Sequence, residues 1–150
     1  MIVIVIIGLV YTLALSKIKT PLTELQKPSF TTLKSYLFSF SKDHKSVKLL
    51  CQESCDVCAI YSDGEKVKDI DPFFDRSVEF YRYDFFLGDM ALERQSCFEF
   101  SVDGKGVADQ VIIVYKEKAY DYTPYFTEVK EYNSLQELKD SKESLISEVE

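Results

Sequence analysis

Four cysteines have the widest chemical reach in this chain: Cys51, Cys55 and Cys58, spaced C-x3-C-x2-C, and Cys97 far downstream. Two chemistries fit them. Thiolates suit zinc, and C-x2-C is a usual zinc half-site, although a second C-x2-C is missing. An even cysteine count in an exported domain instead forms disulfides, and four cysteines allow three connectivities among which sequence does not choose. A Cys51–Cys55 or Cys55–Cys58 bridge would pin a tight loop, whereas a bridge to Cys97 would tie that loop to a distant strand. Compartment therefore decides the chemistry. Asp103 and Asp109 flank Gly104 and Gly106, and could supply calcium with oxygen ligands or simply sit in a Gly-rich hairpin turn. His44, the single histidine, lies in the polar run Ser41–Lys45 and reads as a solvated loop residue. No motif activates a serine, no Gly-rich loop cradles phosphate, and no pair of carboxylates is singled out by spacing. Enzymatic chemistry is therefore not expected.

The elements that would carry these residues follow from periodicity. Ser29 can cap a helix over Phe30–Ser41, where Leu33, Tyr36, Leu37 and Phe40 recur at helical spacing. From Val47 the pattern turns to short strand-like runs: Val47–Cys51, Val57–Ser62, Glu65–Ile70, Ser77–Tyr83, Ser96–Val102, Gln110–Tyr115 and Ala119–Tyr122. Asp63-Gly64 between two of them is a hairpin signal, because a two-residue turn needs positive φ. Gln110–Tyr115, continuously apolar, predicts a central strand, and Phe126–Tyr132 an edge strand or irregular chain. Ser134-Leu135-Gln136-Glu137 is a capping-box pattern opening a helix to about Val149, with Leu135, Leu138, Leu145 and Ile146 as its apolar face. The fold class expected is α+β: an N-terminal helix, an antiparallel sheet and a C-terminal helix. Tyr115, Tyr120, Tyr122, Tyr125 and Tyr132 form a dense stretch that would pack on the sheet or present an interaction surface.

Apolar residues make up 46% of the chain and charged residues 29%, with only five Gly and four Pro, which excludes collagen-like and wholly disordered classes. The net charge of −7 is unevenly spread. Residues 16–50 carry seven Lys against Glu24 and Asp43, giving +5, while residues 51–150 carry 11 basic and 23 acidic groups, giving −12. An acidic body repels nucleic acid, whose affinity is mostly electrostatic, so no direct nucleic-acid binding is expected. The basic segment suits anionic lipid or an acidic neighbour.

Met1–Leu15 reads MIVIVIIGLVYTLAL, without a charge, and Lys17 and Lys19 follow. It is too apolar all round for an amphipathic surface helix and somewhat short of the ~20 residues that span a bilayer core. The run Ile2, Val3, Ile4, Val5, Ile6, Ile7, Gly8, Leu9 and Val10 resembles the middle of the type IV pilin signature. In that family a basic leader ends in Gly, and the mature chain begins with Phe and reaches a Glu before such a stretch. Leader, cleavage site and Glu are absent from these residues, and the expectation is translation assigned from an internal Met. Pro21, near the membrane exit, also resembles pilin-like helices.

The resemblance covers about the first 20 residues. It implies a minor pilin or type II secretion pseudopilin: residues 1–20 as an anchor and filament helix, and residues 21–150 as a periplasmic α+β domain. Such a chain would cross the bacterial inner membrane once and have lipid and other pilin-like subunits as partners. Some secretion pseudopilins hold calcium in a loop of the sheet region, which the resemblance would assign to Asp103 and Asp109. No other cofactor is implied. C-x3-C-x2-C also resembles the cluster motif of radical SAM enzymes, but a body of this size cannot supply their barrel. The positive-inside rule, applied to Lys17 and Lys19 alone, gives a different architecture: a membrane-tethered cytosolic binding domain with zinc on its cysteines.

Overall fold

The computed structural model describes residues 27–147, apart from 42, 44, 85–87, 94 and 126. The apolar run Ile2–Val10, Pro21 and His44 lie outside the described residues. No described helix is long and apolar enough to cross a membrane.

The chain is α+β. Helix α1 (Leu33–Phe38) precedes β1 (Val47–Cys51), β2 (Cys58–Ser62), β3 (Glu65–Ile70), β4 (Glu79–Asp84), β5 (Gly88–Ala91), β6 (Phe98–Val102), β7 (Ile112–Tyr115), β8 (Lys118–Asp121) and β9 (Lys130–Tyr132), and helix α2 (Leu135–Ser147) closes the chain. The single sheet expected from the strand pattern is instead two, in orders β3-β2-β1-β6 and β5-β4-β7-β8-β9. All pairings are antiparallel. The division arises because β1 pairs with β6, a strand distant in sequence, and so splits the run of hairpins into two sets.

Alternation along the strands places the core between the sheets. In the first sheet Val47, Leu49 and Cys51 face inward beside Ile60, Cys58, Phe98, Phe100 and Val102, all buried. In the second, the cross-strand row Phe80, Ile113 and Tyr120 faces the same core. Phe98 joins the halves, stacked 4.4 Å from Phe74 and 5.1 Å from Phe80. Phe30 adds edge and tilted contacts to Phe73, Phe74 and Tyr120. From α1, Leu33, Tyr36 and Leu37 enter this core, as their spacing predicts. The helix is shorter than Phe30–Ser41: Ser29 and Thr32 bond reciprocally across a turn before it, and after Phe38 the Phe40 and Ser41 amides bond the Leu37 and Phe38 carbonyls in tighter turns. Phe38, on the opposite side, is left exposed.

The other face of the second sheet is covered by α2, where Leu138 is fully buried against Ile112 and Ala119. Half of the capping box forms as the pattern predicts, with the Glu137 amide donating to Ser134 Oγ at 3.1 Å. The Glu137 carboxylate accepts from the Asn133 amide instead of that of Ser134. Leu145 does not join the apolar face, being 58% exposed. β7 is the middle strand of its sheet, in agreement with its apolar run.

Candidate functional site

The cysteines converge at one end of the first sheet. Cys51 and Cys58 are directly opposed in the β1–β2 register and form one disulfide, with Cα atoms 4.1 Å apart. The connecting loop reverses through a Gln52 amide to Val57 carbonyl bond, and Cys55 at its tip has φ +62°. Cys55 bonds Cys97, which immediately precedes β6, with a Cα separation of 5.4 Å. The loop is therefore tied to a distant strand, while its own closure joins Cys51 to Cys58, a pairing different from either short link considered above. With all four sulfurs in disulfides, no thiolate is left for zinc, and the cysteine-ligated zinc site is corrected on that ground.

A groove of about 1130 Å³ opens beside these bridges. One wall is the loop Gln52–Ser54, the other is formed by Leu92, Glu93, Gln95 and Ser96, and Gln110 and Val111 also line it. Arg76, Arg82, Glu53 and Glu93 share its lining, Arg76 Nε donates to the Ser54 carbonyl at 3.4 Å, and Glu99 is paired with Lys48 at 2.7 Å. The Gln110 Nε2 is buried there without a hydrogen-bond partner. Charged and apolar groups share this solvent-open surface. Among the described residues, its lining contains neither a histidine nor a free thiol.

Asp103 and Asp109 are both engaged by the chain itself. Asp103 Oδ1 accepts the amides of Lys105 and Val107, at 2.9 and 2.8 Å, shaping the turn in which Gly106 takes φ +84°. Asp109 accepts from the Ser101 amide and hydroxyl, both at 2.8 Å, and so caps the outer edge of β6. Each carboxylate thus serves a hairpin turn. Among the described residues, no group of three or more His, Cys, Asp or Glu side chains converges to hold a metal ion.

The tyrosine-dense stretch divides between packing and exposure. Tyr120 and Tyr122 are buried, Tyr115 and Tyr132 are partly covered, and Tyr125 is exposed. Tyr122 donates its buried hydroxyl to the Phe30 carbonyl, and burial pushes its phenol far above the usual range. Asp75 shows the opposite effect: the Ser77 hydroxyl and amide donate to its carboxylate and hold it below the usual carboxylate range.

Sequence patterns did not single out the charged cluster on the second sheet. Asp121, 3% exposed, pairs with Lys142 of α2 at 2.8 Å and accepts from the Thr123 amide and hydroxyl. Lys142 also donates to Thr123 Oγ1 at 2.7 Å and lies over the Tyr83 ring. An Asp between two buried tyrosines at a strand end was the available signal, since a buried acid needs a cation or several donors. Arg76 and Arg82, separated along the chain, carried no comparable pattern.

Comparison with family models, with curated proteins and with solved structures finds no match to this chain.

Proposed function

We propose that this protein is a structural, pilin-like subunit of a type II secretion or type IV pilus-type machine. It would be anchored in a bacterial inner membrane by its N-terminal segment, with the α+β domain in the periplasm. The observation that carries the reading is the uncharged MIVIVIIGLV run, which resembles the hydrophobic part of a pilin-like helix. Two disulfides in the domain support an oxidising compartment. The antiparallel sheet region and short α1 are compatible with a domain mounted on such a helix.

In lipid the apolar run would be solvated by acyl chains. In a filament, packing among equivalent helices would replace those contacts, with Gly8 permitting close approach. The +5 segment and −12 body would favour a staggered register between neighbouring subunits. Each copy is then a mechanical part, and recognition falls to exposed surfaces such as the groove beside the disulfides.

The test places a photo-cross-linking residue at Ile6 or Leu9 in the cell of origin. A membrane-bound ladder of products joined through this segment is expected. Monomer recovered only from the soluble fraction would overturn the reading.

A further inference from the structure

The two disulfides differ in what holds them. Cys51 and Cys58 are 0% and 1% exposed and sit within paired strands, β1 being hydrogen-bonded on both sides. Cys55 and Cys97 lie outside the strands and directly follow the groove-lining residues Ser54 and Ser96. Cys97 is the one cysteine of the four that is not buried. Cys55 also occupies a left-handed conformation, unfavourable for a residue with a Cβ, so the loop tip has reason to relax once freed. The Cys51–Cys58 link spans a separation of only seven residues within a hairpin that the ladder already closes, whereas Cys55–Cys97 spans 42 and alone joins the walls covalently.

We propose that Cys55–Cys97 is a reducible latch that sets the width of the groove, while Cys51–Cys58 is a permanent staple of the hairpin. The partner for the step is a dithiol reductant, small or protein-borne. One of its thiolates attacks the Cys97 sulfur, forms a mixed disulfide there and expels Cys55 as thiolate, which takes up a proton. The second thiol of the reductant then attacks the mixed disulfide, releases Cys97 as a thiol and leaves as the reductant's own disulfide. Two electrons pass from the dithiol to the cystine, and exchange with an oxidised dithiol protein closes the latch again. Opening releases Gln52–Val57 from Leu92, Glu93 and Gln95–Cys97 without undoing a strand pairing. This device stands apart from membrane anchoring and would operate in either compartment that presents such a dithiol.

The experiment titrates the full chain with dithiothreitol, traps thiols with iodoacetamide and maps the alkylated peptides. A single intermediate is expected, alkylated at Cys55 and Cys97 with Cys51–Cys58 intact, formed at least tenfold faster than the second bridge opens. In that intermediate, amides of 52–57 and of 92, 93 and 95–97 should exchange with solvent at least tenfold faster, while β1 and β6 amides keep their protection over the same interval. Simultaneous opening, prior opening of Cys51–Cys58, or unchanged exchange in both walls would overturn the proposal. A Cys55→Ser/Cys97→Ser variant should reproduce the exchange pattern without reductant. A variant that loses protection throughout would equally overturn it.

Discussion

Sheet one is fastened covalently, Cys51–Cys58 joining β1 to β2 and Cys55–Cys97 tying the loop between them to the residue before β6. Sheet two has no covalent link and is secured on its outer face by α2, through Leu138 in an apolar patch and the Asp121–Lys142 pair. The bridges act mainly by narrowing the unfolded ensemble, whereas the ion pair acts within the folded state and must offset the loss of hydration. The first region is therefore sensitive to redox conditions and little to salt or pH. The second is sensitive to any change that leaves one charge of its pair alone. The two share one aromatic core, and their stabilities are coupled through it.

That coupling is tested by the largest expected effect. Phe98→Ala removes the ring that touches both halves and should cost about 3–5 kcal/mol in urea unfolding. It should do so in a single transition. Two resolved transitions would separate the sheets into independent units and break the comparison.

Next in size is the charged pair. Asp121→Ala leaves the Lys142 ammonium, with 17% side-chain exposure, without its partner and should cost about 3 kcal/mol. Asp121→Asn combined with Lys142→Met leaves no lone charge and should recover most of that loss in thermal unfolding. A double variant as unstable as the single one would show that hydrogen bonds to Thr123, and not the charge, hold α2 in place.

Removing the hairpin staple with Cys51→Ala/Cys58→Ala should lower stability by about 2–3 kcal/mol, the range expected for so short a closed loop. The loss should be the same at low and high salt. A salt-dependent loss would erase the contrast between covalent and ionic fastening.

The smallest effect concerns Tyr122, whose hydroxyl serves the Phe30 carbonyl from the second half of the chain. Tyr122→Phe should cost about 1–2 kcal/mol at neutral pH by leaving that carbonyl unpaired. Burial raises the folded-state pKa of this phenol, so its contribution is complete below the ordinary value of about 10. It is lost as pH rises above that value, where the unfolded chain ionises first. The wild type should therefore lose stability on the alkaline side more steeply than Tyr122→Phe. Parallel curves above about pH 10 would contradict the assignment.

What could be read from the residues is mostly local. Asp63-Gly64 marks a hairpin because that turn needs positive φ, and both residues have it, at +54° and +83°. The limits of Val47–Cys51 and Glu65–Ile70 coincide with β1 and β3, and the apolar run ending at Tyr115 is the middle strand β7. Lys116-Glu117 adopts the same kind of turn, at +50° and +70°, without the residues that favour it, so only the flanking apolar runs revealed its place. β5, four residues holding Gly88, is too short to show alternation. The pairing of β1 with β6, and hence the division into two sheets, depends on contacts far apart in sequence that no local pattern encodes. The same holds for Cys55–Cys97 and for the meeting of Arg76 and Arg82 in one groove. The calcium expectation at Asp103 and Asp109 rested on residue type and on the pilin resemblance, whereas their geometry is that of turn and edge caps.

The central claim is that this disulfide-linked domain resides outside the reducing cytosol while its apolar N-terminal segment lies in the membrane. The most direct measurement is acid-quenched thiol trapping in intact cells of origin, followed by fractionation and counting of alkylated cysteines on the recovered chain. The account predicts membrane-bound protein with Cys51 and Cys58 protected in every copy and reactive only after chemical reduction. Soluble protein with all four cysteines alkylated directly would contradict it.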